Sequence, residues 1–84
     1  MSELQQTLRE LHRELGEARS LAPDDRAMLE TVLADIQRTL GGEPVAAQPP
    51  GDALEGAAVR LEAGHPGLAA TLRSLVDALA KAGI

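Results

Sequence analysis

The amino-acid sequence predicts an all-α protein, and three observations support that prediction. Apolar residues recur every three or four positions in several segments, which is the period of a helix that buries one face. Pro residues stand near the boundaries of those segments, where they disrupt a helix least. A capping-box pattern, in which Gln or Glu follows a small polar residue by three positions, begins at Ser2 and at Asp52. The 84 residues suffice for one small domain, which we expect to span residues 1–84.

The first segment is predicted to form an amphipathic helix. Its apolar stripe consists of Leu4, Leu8, Leu11, Leu15 and Ala18. The opposite face mixes Glu and Arg at spacings that allow ion pairs across one turn, which is typical of a face exposed to water.

A second helix is predicted to start at Pro23 and to run to about Leu40. Pro suits the first helical position, and Asp24 and Asp25 complement the positive end of the helix dipole. Its apolar stripe consists of Leu29, Leu33, Ile36 and Leu40. Two helices joined by so few residues favour an antiparallel hairpin, which we assign to residues 1–40.

Residues 41–51, with the sequence GGEPVAAQPPG, are predicted to form a linker. Two Gly end the preceding helix, and three Pro oppose regular structure. The segment lacks the PxxP spacing of a Pro-rich recognition motif, so we interpret it as a spacer.

Residues 52–84 are predicted to be helical, with a break or a kink at Gly64, His65, Pro66 and Gly67. The apolar stripe continues from Leu54 through the residues before and after this point without losing its phase. Two interpretations remain open, namely a turn between two helices and one long helix kinked at Pro66. Two Gly that flank a Pro favour the turn, because both residue types destabilise a helix interior.

The end of the sequence is predicted to cap the last helix. If Ala82 is the C-cap residue, Gly83 takes the left-handed position that follows it. Leu79 and Ile84 then occupy the two positions whose side chains meet in a Schellman motif. A free C-terminal recognition peptide is the alternative interpretation.

A resemblance to a known family is carried by the C-terminal half. Residues 62–68 have the pattern E-x-x-H-P-x-L, and His65 and Pro66 precede the closing Gly83 and Ile84 by eighteen positions. Together with the N-terminal leucine stripe and LETVLADIQ, this pattern resembles the short bacterial proteins catalogued as domain of unknown function 4404. The resemblance implies a small helical protein and supplies no catalytic residues.

Composition argues against several classes of function. With 13 acidic and 8 basic residues, the net charge of −5 opposes binding to a phosphate backbone, and the absence of aromatic residues leaves no platform on which bases could stack. We therefore expect no nucleic-acid partner. The absence of Cys excludes disulfides and thiolate metal sites and favours a reducing cytoplasm. The segment MSELQQTLRE does not resemble a signal peptide.

Catalytic chemistry has little support in the sequence. No zinc-protease, nucleophile-elbow, phosphate-loop or calcium-loop motif occurs. His12 and His65 stand alone, and neither Ser20 nor Ser74 has a neighbouring base. We expect His65 to be structural, with its ring donating to a backbone carbonyl. The sequence thus predicts a non-enzymatic protein without catalytic residues, metal ligands or cofactor.

Self-association, or interaction with an unidentified protein partner, is the function that the sequence favours. A small aliphatic core makes a monomer marginally stable, and the last helix carries apolar residues on more than one flank. We predict a homo-oligomer, most simply a dimer, through an interface formed by Leu68, Leu72, Leu75, Val76 and Leu79. Binding of the amphipathic C-terminal helix to a membrane surface is the alternative, which the lack of an aromatic anchor disfavours.

Overall fold

The computed structural model describes residues 3–42 and 50–83, and it confirms the all-α prediction. This part of the chain contains no strand. The helices are α1 (Glu3–Glu17), α2 (Pro23–Leu40), α3 (Pro50–Leu61) and α4 (Pro66–Lys81).

The helices are paired into two hairpins along the chain. The first hairpin consists of α1 and α2, which run antiparallel, and Nε2 of His12 on α1 lies 3.1 Å from Nε2 of Gln37 on α2. The second hairpin consists of α3 and α4, which are joined by residues 62–65 and pack closely against each other.

The two hairpins pack together through two helix pairs, and each pair takes one helix from each hairpin. Helix α1 contacts α4, and Nζ of Lys81 lies 3.9 Å from Oε1 of Glu3. Helix α2 contacts α3, and a guanidinium nitrogen of Arg60 lies 3.4 Å from Oδ1 of Asp25. Each of these pairs joins the end of one helix to the start of the other. The structure is therefore an antiparallel four-helix bundle, in which every helix runs opposite to both of its neighbours.

The apolar stripes of the four helices form one shared core. Each stripe buries the leucines that the spacing predicts, and Leu21 between α1 and α2 joins them. The first hairpin buries only Leu and Ile, whereas the second also buries alanines, namely Ala57, Ala58, Ala69 and Ala78. Leu40 departs from the prediction. It is 42% exposed because it is the last residue of α2, beyond the reach of the core.

The connection between α1 and α2 is closed by a side chain that spans it. Pro23 occupies the start of α2, as predicted, and the N-cap residue Ala22 has no side-chain oxygen with which to cap the helix. The guanidinium of Arg26 donates to the carbonyl oxygens of Leu15 and Ala18 at the end of α1. Carbonyls in the last turn of a helix have no partner within it, so Arg26 both caps α1 and ties it to α2.

The predicted linker at 41–51 is too long at its C-terminal side. Helix α3 begins at Pro50, so the last two residues of the linker are helical, and Asp52 lies within the first turn. The prediction that Asp52 caps this helix is therefore wrong, because the prolines before it can start a helix at no cost in hydrogen bonds. Gly42 has a φ of +103°, which turns the chain after α2. Residues 43–49, on which the spacer interpretation rests, lie outside the described residues.

The predicted break is a turn between two helices, but it lies at residues 62–65, so Gly64 and His65 belong to it whereas Pro66 and Gly67 are the first residues of α4. Helix α3 ends at Leu61 and α4 begins at Pro66, so the alternative of a single kinked helix is wrong. The backbone N–H of His65 donates to the carbonyl of Leu61 at 2.7 Å, and its carbonyl accepts from the N–H of Ala69 at 3.0 Å. His65 thus closes α3 and opens α4 through its backbone.

The last turn of α4 has the geometry of a left-handed ending. Ala82 is the C-cap residue, and Gly83 has a φ of +79°. The N–H of Gly83 donates to the carbonyl of Ala80 at 3.2 Å, which is one of the two bonds of a Schellman motif. Ile84 and its predicted contact with Leu79 lie outside the described residues.

Candidate interaction surface

The structure places most of the predicted interface inside the chain. Four of its members, Leu68, Leu72, Leu75 and Leu79, are buried in the core of the bundle, and each is at most 6% exposed. Helix α4 has apolar residues on more than one flank because it packs against both α1 and α3. Side chains that are covered by their own chain offer no surface to a partner, so the interface prediction has to be corrected for these four leucines.

Val76, the fifth predicted interface residue, is only partly buried and lies in a groove between α3 and α4. We call this surface the α3–α4 groove. It has a volume of about 750 Å³, and its lining consists of Asp52, Glu55, Gly56, Val59, Arg73, Val76, Asp77 and Ala80.

Val59 is the most exposed large apolar side chain in the described part of the chain. It is 67% exposed, although the residue before it, Ala58, is buried in the core. A step of one residue along a helix turns the side chain by about 100°. Val59 therefore points to the solvent side of α3 and belongs to the lining of the groove, as Val76 does on α4.

The charged residues of the groove are distributed unevenly between its two ends. At the end formed by the start of α3 and the end of α4 lie Asp52, Glu55 and Asp77, and among the described residues the first two form no ion pair. Arg73 lies nearer the turn that joins the two helices, and its Nη2 is 3.1 Å from Oε2 of Glu62, just beyond the end of α3. The lining of the groove thus has three carboxylates at one end, which we call the acidic end, and the guanidinium of Arg73 at the other, which we call the basic end although Glu62 balances part of its charge.

The acidic end also carries one ammonium group at its rim. Nζ of Lys81 lies 3.1 Å from Oδ2 of Asp77, one turn earlier on α4. The hydrogen bond and the charge of Asp77, and then the charge of Glu3, raise the pKa of Lys81. Lys81 is fully exposed, so these contacts are screened by water and contribute little to folding.

Two smaller surface depressions differ from the groove in their chemistry. One lies between α1 and α2, has a volume of about 370 Å³, and is lined by His12, Gln37 and Leu40 among others. The other lies where the end of α1 meets the start of α4, and Glu14 and His65 belong to its lining. One carboxylate oxygen of Glu14 is buried there without a hydrogen-bond partner among the described residues. Neither depression exposes apolar side chains to the extent that the α3–α4 groove does.

The two histidines do not come together into a site. His12 contacts Gln37. His65 lies near the C-terminal end of α1, in the turn that precedes α4. No side-chain hydrogen bond of His65 is formed within residues 3–42 and 50–83, so the expected donation from its ring to a carbonyl is not observed there. Over the same residues, no group of three or more His, Cys, Asp or Glu side chains could hold a metal ion.

The sequence patterns do not by themselves predict two features of this surface. Val59 lies one position off the buried stripe, and its exposure could be inferred from that offset once the stripe of α3 was assigned. The charges at the two ends of the groove depend on which helices are neighbours. The spacing of apolar residues does not specify the neighbours. In the described part of the chain, no helix is both long and apolar enough to span a bilayer.

Comparison with known proteins places the chain in a family without assigning it an activity. No curated protein and no solved structure matches the sequence. The family described as "Domain of unknown function (DUF4404)" matches residues 4–84, which cover essentially the whole chain and include all four helices. The protein belongs to this family.

Proposed function

We propose that the protein is a non-catalytic helical module that associates with a second copy of itself to form a homodimer. The observation that carries this proposal is Val59, a large aliphatic side chain that is 67% exposed in the lining of the α3–α4 groove, to which Val76 also belongs. Apart from Val59 and Leu40, the large apolar residues that the structure describes are buried or partly buried, so an exposed apolar groove is a feature that association would explain.

The energetics indicate a weak and reversible dimer. Burial of Val59 in both copies of a symmetric dimer returns at most roughly 3–6 kcal/mol. This is close to the smallest estimates of the cost of association, about 4 kcal/mol. The charged residues around the groove must therefore contribute if the dimer is to form at micromolar concentrations.

Sedimentation velocity over about 1 µM to 1 mM tests the proposal, since this range covers the affinities of transient complexes. We expect the sedimentation coefficient of the parent protein to rise with concentration. Val59→Asp should abolish that rise, because a carboxylate in the centre of an apolar contact loses its hydration without gaining a partner.

Leu40→Asp is the matched control, because Leu40 is the other exposed large apolar residue in the described part of the chain and lies in the first hairpin. It should leave association unchanged, and circular dichroism should show that both variants remain folded. A parent protein that stays monomeric over the whole range would refute the proposal. Equal association of the parent and of Val59→Asp would exclude the groove as the contact surface.

The membrane-surface alternative receives less support from this fold. It requires the apolar face of α4, and the bundle buries that face. Co-sedimentation with anionic liposomes measures it directly, and binding in the absence of dimerisation would favour it over self-association. The lack of cysteine supports a reducing compartment, and we place the module in the cytoplasm.

A further inference from the structure

We infer that the second copy docks into the α3–α4 groove in an antiparallel orientation about a two-fold axis, so that the acidic end of each groove faces the basic end of the other. This inference rests on the proposed self-association and specifies its geometry. It follows from the order of charges along the groove.

The order of charges is set by the antiparallel packing of α3 and α4. Asp52 and Glu55 lie in the first half of α3, and Asp77 lies near the end of α4, so the three carboxylates share one end. Arg73 lies one turn before Asp77, and its ion pair with Glu62 shows that its guanidinium reaches toward the turn between the helices. Val59 and Val76 belong to the lining of the same groove as these charges.

A second copy is electrostatically suited to only one of two orientations. If two grooves met in parallel, carboxylates would face carboxylates and Arg73 would face its own counterpart, and like charges in contact oppose association. In the antiparallel orientation, each Arg73 faces Asp52 or Glu55 of the other copy. A two-fold axis then repeats this contact, so one complementary pair is formed twice.

Arg73 can make this contact without giving up its own ion pair. Only its Nη2 donates to Glu62, and a guanidinium carries further N–H groups on its other nitrogens. Asp52 and Glu55 form no ion pair within the described residues, so their carboxylates can accept these donors. The pairs formed across the interface would thus add to those within each chain.

The centre of the groove has room for a second helix. A Cβ built on Gly56 would meet no atom within 4 Å, so the middle of α3 presents bare backbone to the solvent. Ala80, near the end of α4, is a second small residue in the lining. Small residues let helices approach closely, and the exposed Val59 of the second copy is a side chain of the size that this opening admits.

The charge balance favours a second copy over other occupants. The lining contains three carboxylates and one guanidinium, so it repels an anionic membrane surface or an acidic peptide. A basic peptide would be attracted by the acidic end alone, and its binding would not require Arg73. A partner forms ion pairs at both ends of the groove only if it carries acidic and basic groups in the reverse order, as a second copy does.

Charge reversal at the two ends tests the orientation. Arg73→Glu and Glu55→Arg should each weaken dimerisation about tenfold or more in sedimentation equilibrium, because each places like charges in contact. An equimolar mixture of the two variants should form a heterodimer with restored affinity. In that heterodimer one contact has both charges reversed and the other is unchanged.

Arg13→Glu is the matched control. Arg13 is exposed on α1, where it pairs with Glu10 and Glu17, so its reversal makes the same change in net charge away from the groove. It should have little effect on the dimer, and circular dichroism should show that every variant is folded. The chain that carries both Arg73→Glu and Glu55→Arg should dimerise like the parent, since both of its contacts are reversed together.

The outcomes separate the inference from the proposed function. Dimerisation of the parent and of both single variants with equal affinity would overturn the antiparallel groove while leaving self-association intact. Failure of the mixture and of the double variant to recover affinity would overturn it as well. A parent protein that never dimerises would overturn both.

Discussion

The two hairpins contribute to the same core by different means. In the first, the buried residues of α1 and α2 are all Leu or Ile. In the second, α3 and α4 approach most closely of all helix pairs in the described structure, and every buried alanine lies on them. The distance between packed helices depends on the side chains at their contact, so leucines separate the first pair and alanines bring the second together.

This difference explains where each hairpin meets the solvent. The first closes its open edge with polar contacts, namely Arg26 on the carbonyls of α1 and His12 on Gln37. The second has the ion pair of Arg73 with Glu62 at its turn, and along the rest of their length its helices pack closely against each other. Small residues also cover less surface, and Val59 remains exposed beside the groove. The small residues thus account both for the close packing of α3 and α4 and for the uncovered apolar surface.

The largest expected effect tests whether the two hairpins fold as one unit. Leu33→Ala in the first and Leu75→Ala in the second each remove a side chain that is 0% exposed. Each should lower the free energy of unfolding by about 2–5 kcal/mol, through lost burial and the cavity left behind. Urea denaturation followed by circular dichroism measures both, with Val59→Ala as the exposed control. A separate transition for either hairpin would contradict the shared core.

Removal of Arg26 tests how the first hairpin is closed. Arg26→Ala leaves two carbonyls of α1 without their charged donor, and hydrogen bonds to charged groups contribute about 1.5–3 kcal/mol each. Because Arg26 is only partly buried, we expect a loss of stability of about 3 kcal/mol, the low end of the range for two such bonds, and Arg26→Lys should recover only part of it because an ammonium lacks the planar fork.

Arg60→Ala is the counterpart between the hairpins. Arg60 forms an exposed ion pair with Asp25, and such pairs contribute about 0–1 kcal/mol. Equal losses for Arg26→Ala and Arg60→Ala in thermal unfolding would show that the contacts to α1 act as an ordinary surface pair.

The sequence predicts the helices well and their neighbours poorly, and individual residues show why. Leu8, Leu33 and Leu72 are buried as expected, because a stripe at helical spacing must face other apolar surface. Arg26 differs in no local pattern from other arginines, and its role depends on the path of the chain between α1 and α2. The exposure of Val59 matters because α3 and α4 enclose a groove, and no pattern within α3 alone predicts that groove.

The error concerning the leucines of α4 has a similar origin. Apolar residues on two flanks of a helix are compatible with a partner molecule and with two neighbours in the same chain. Helix α4 has two such neighbours, α1 and α3, and its leucines are buried between them. Spacing within one helix specifies how much surface needs to be buried and leaves open what buries it.

Overpacking tests whether alanines are required for the close approach within the second hairpin. Ala69 is 1% exposed on α4, and Ala69→Leu would force extra methylene groups into a filled space. We expect a loss of about 1–3 kcal/mol. Ala70→Leu, at the exposed neighbouring position, should change the melting temperature little. A stable Ala69→Leu variant would show that the second hairpin has unfilled space.

The smallest expected effects come from two glycines, one in each hairpin, for which the same substitution should have opposite signs. Gly16 lies inside α1, and a Cβ built there would meet nothing within 4 Å, so Gly16→Ala should stabilise the protein by about 0.5–1 kcal/mol through helix propensity. Gly83 has a φ of +79°, where a Cβ is strained whatever the space around it.

Gly83→Ala should therefore destabilise the protein by about 1–2 kcal/mol, the cost of a left-handed residue with a side chain. Thermal unfolding of both variants beside the parent gives the two signs in one experiment. The pair separates backbone conformation from packing, because neither added methyl group contacts the rest of the protein. If Gly83→Ala raised the melting temperature or left it unchanged, the left-handed ending of α4 would not contribute to stability, since a Cβ at this positive φ should be unfavourable.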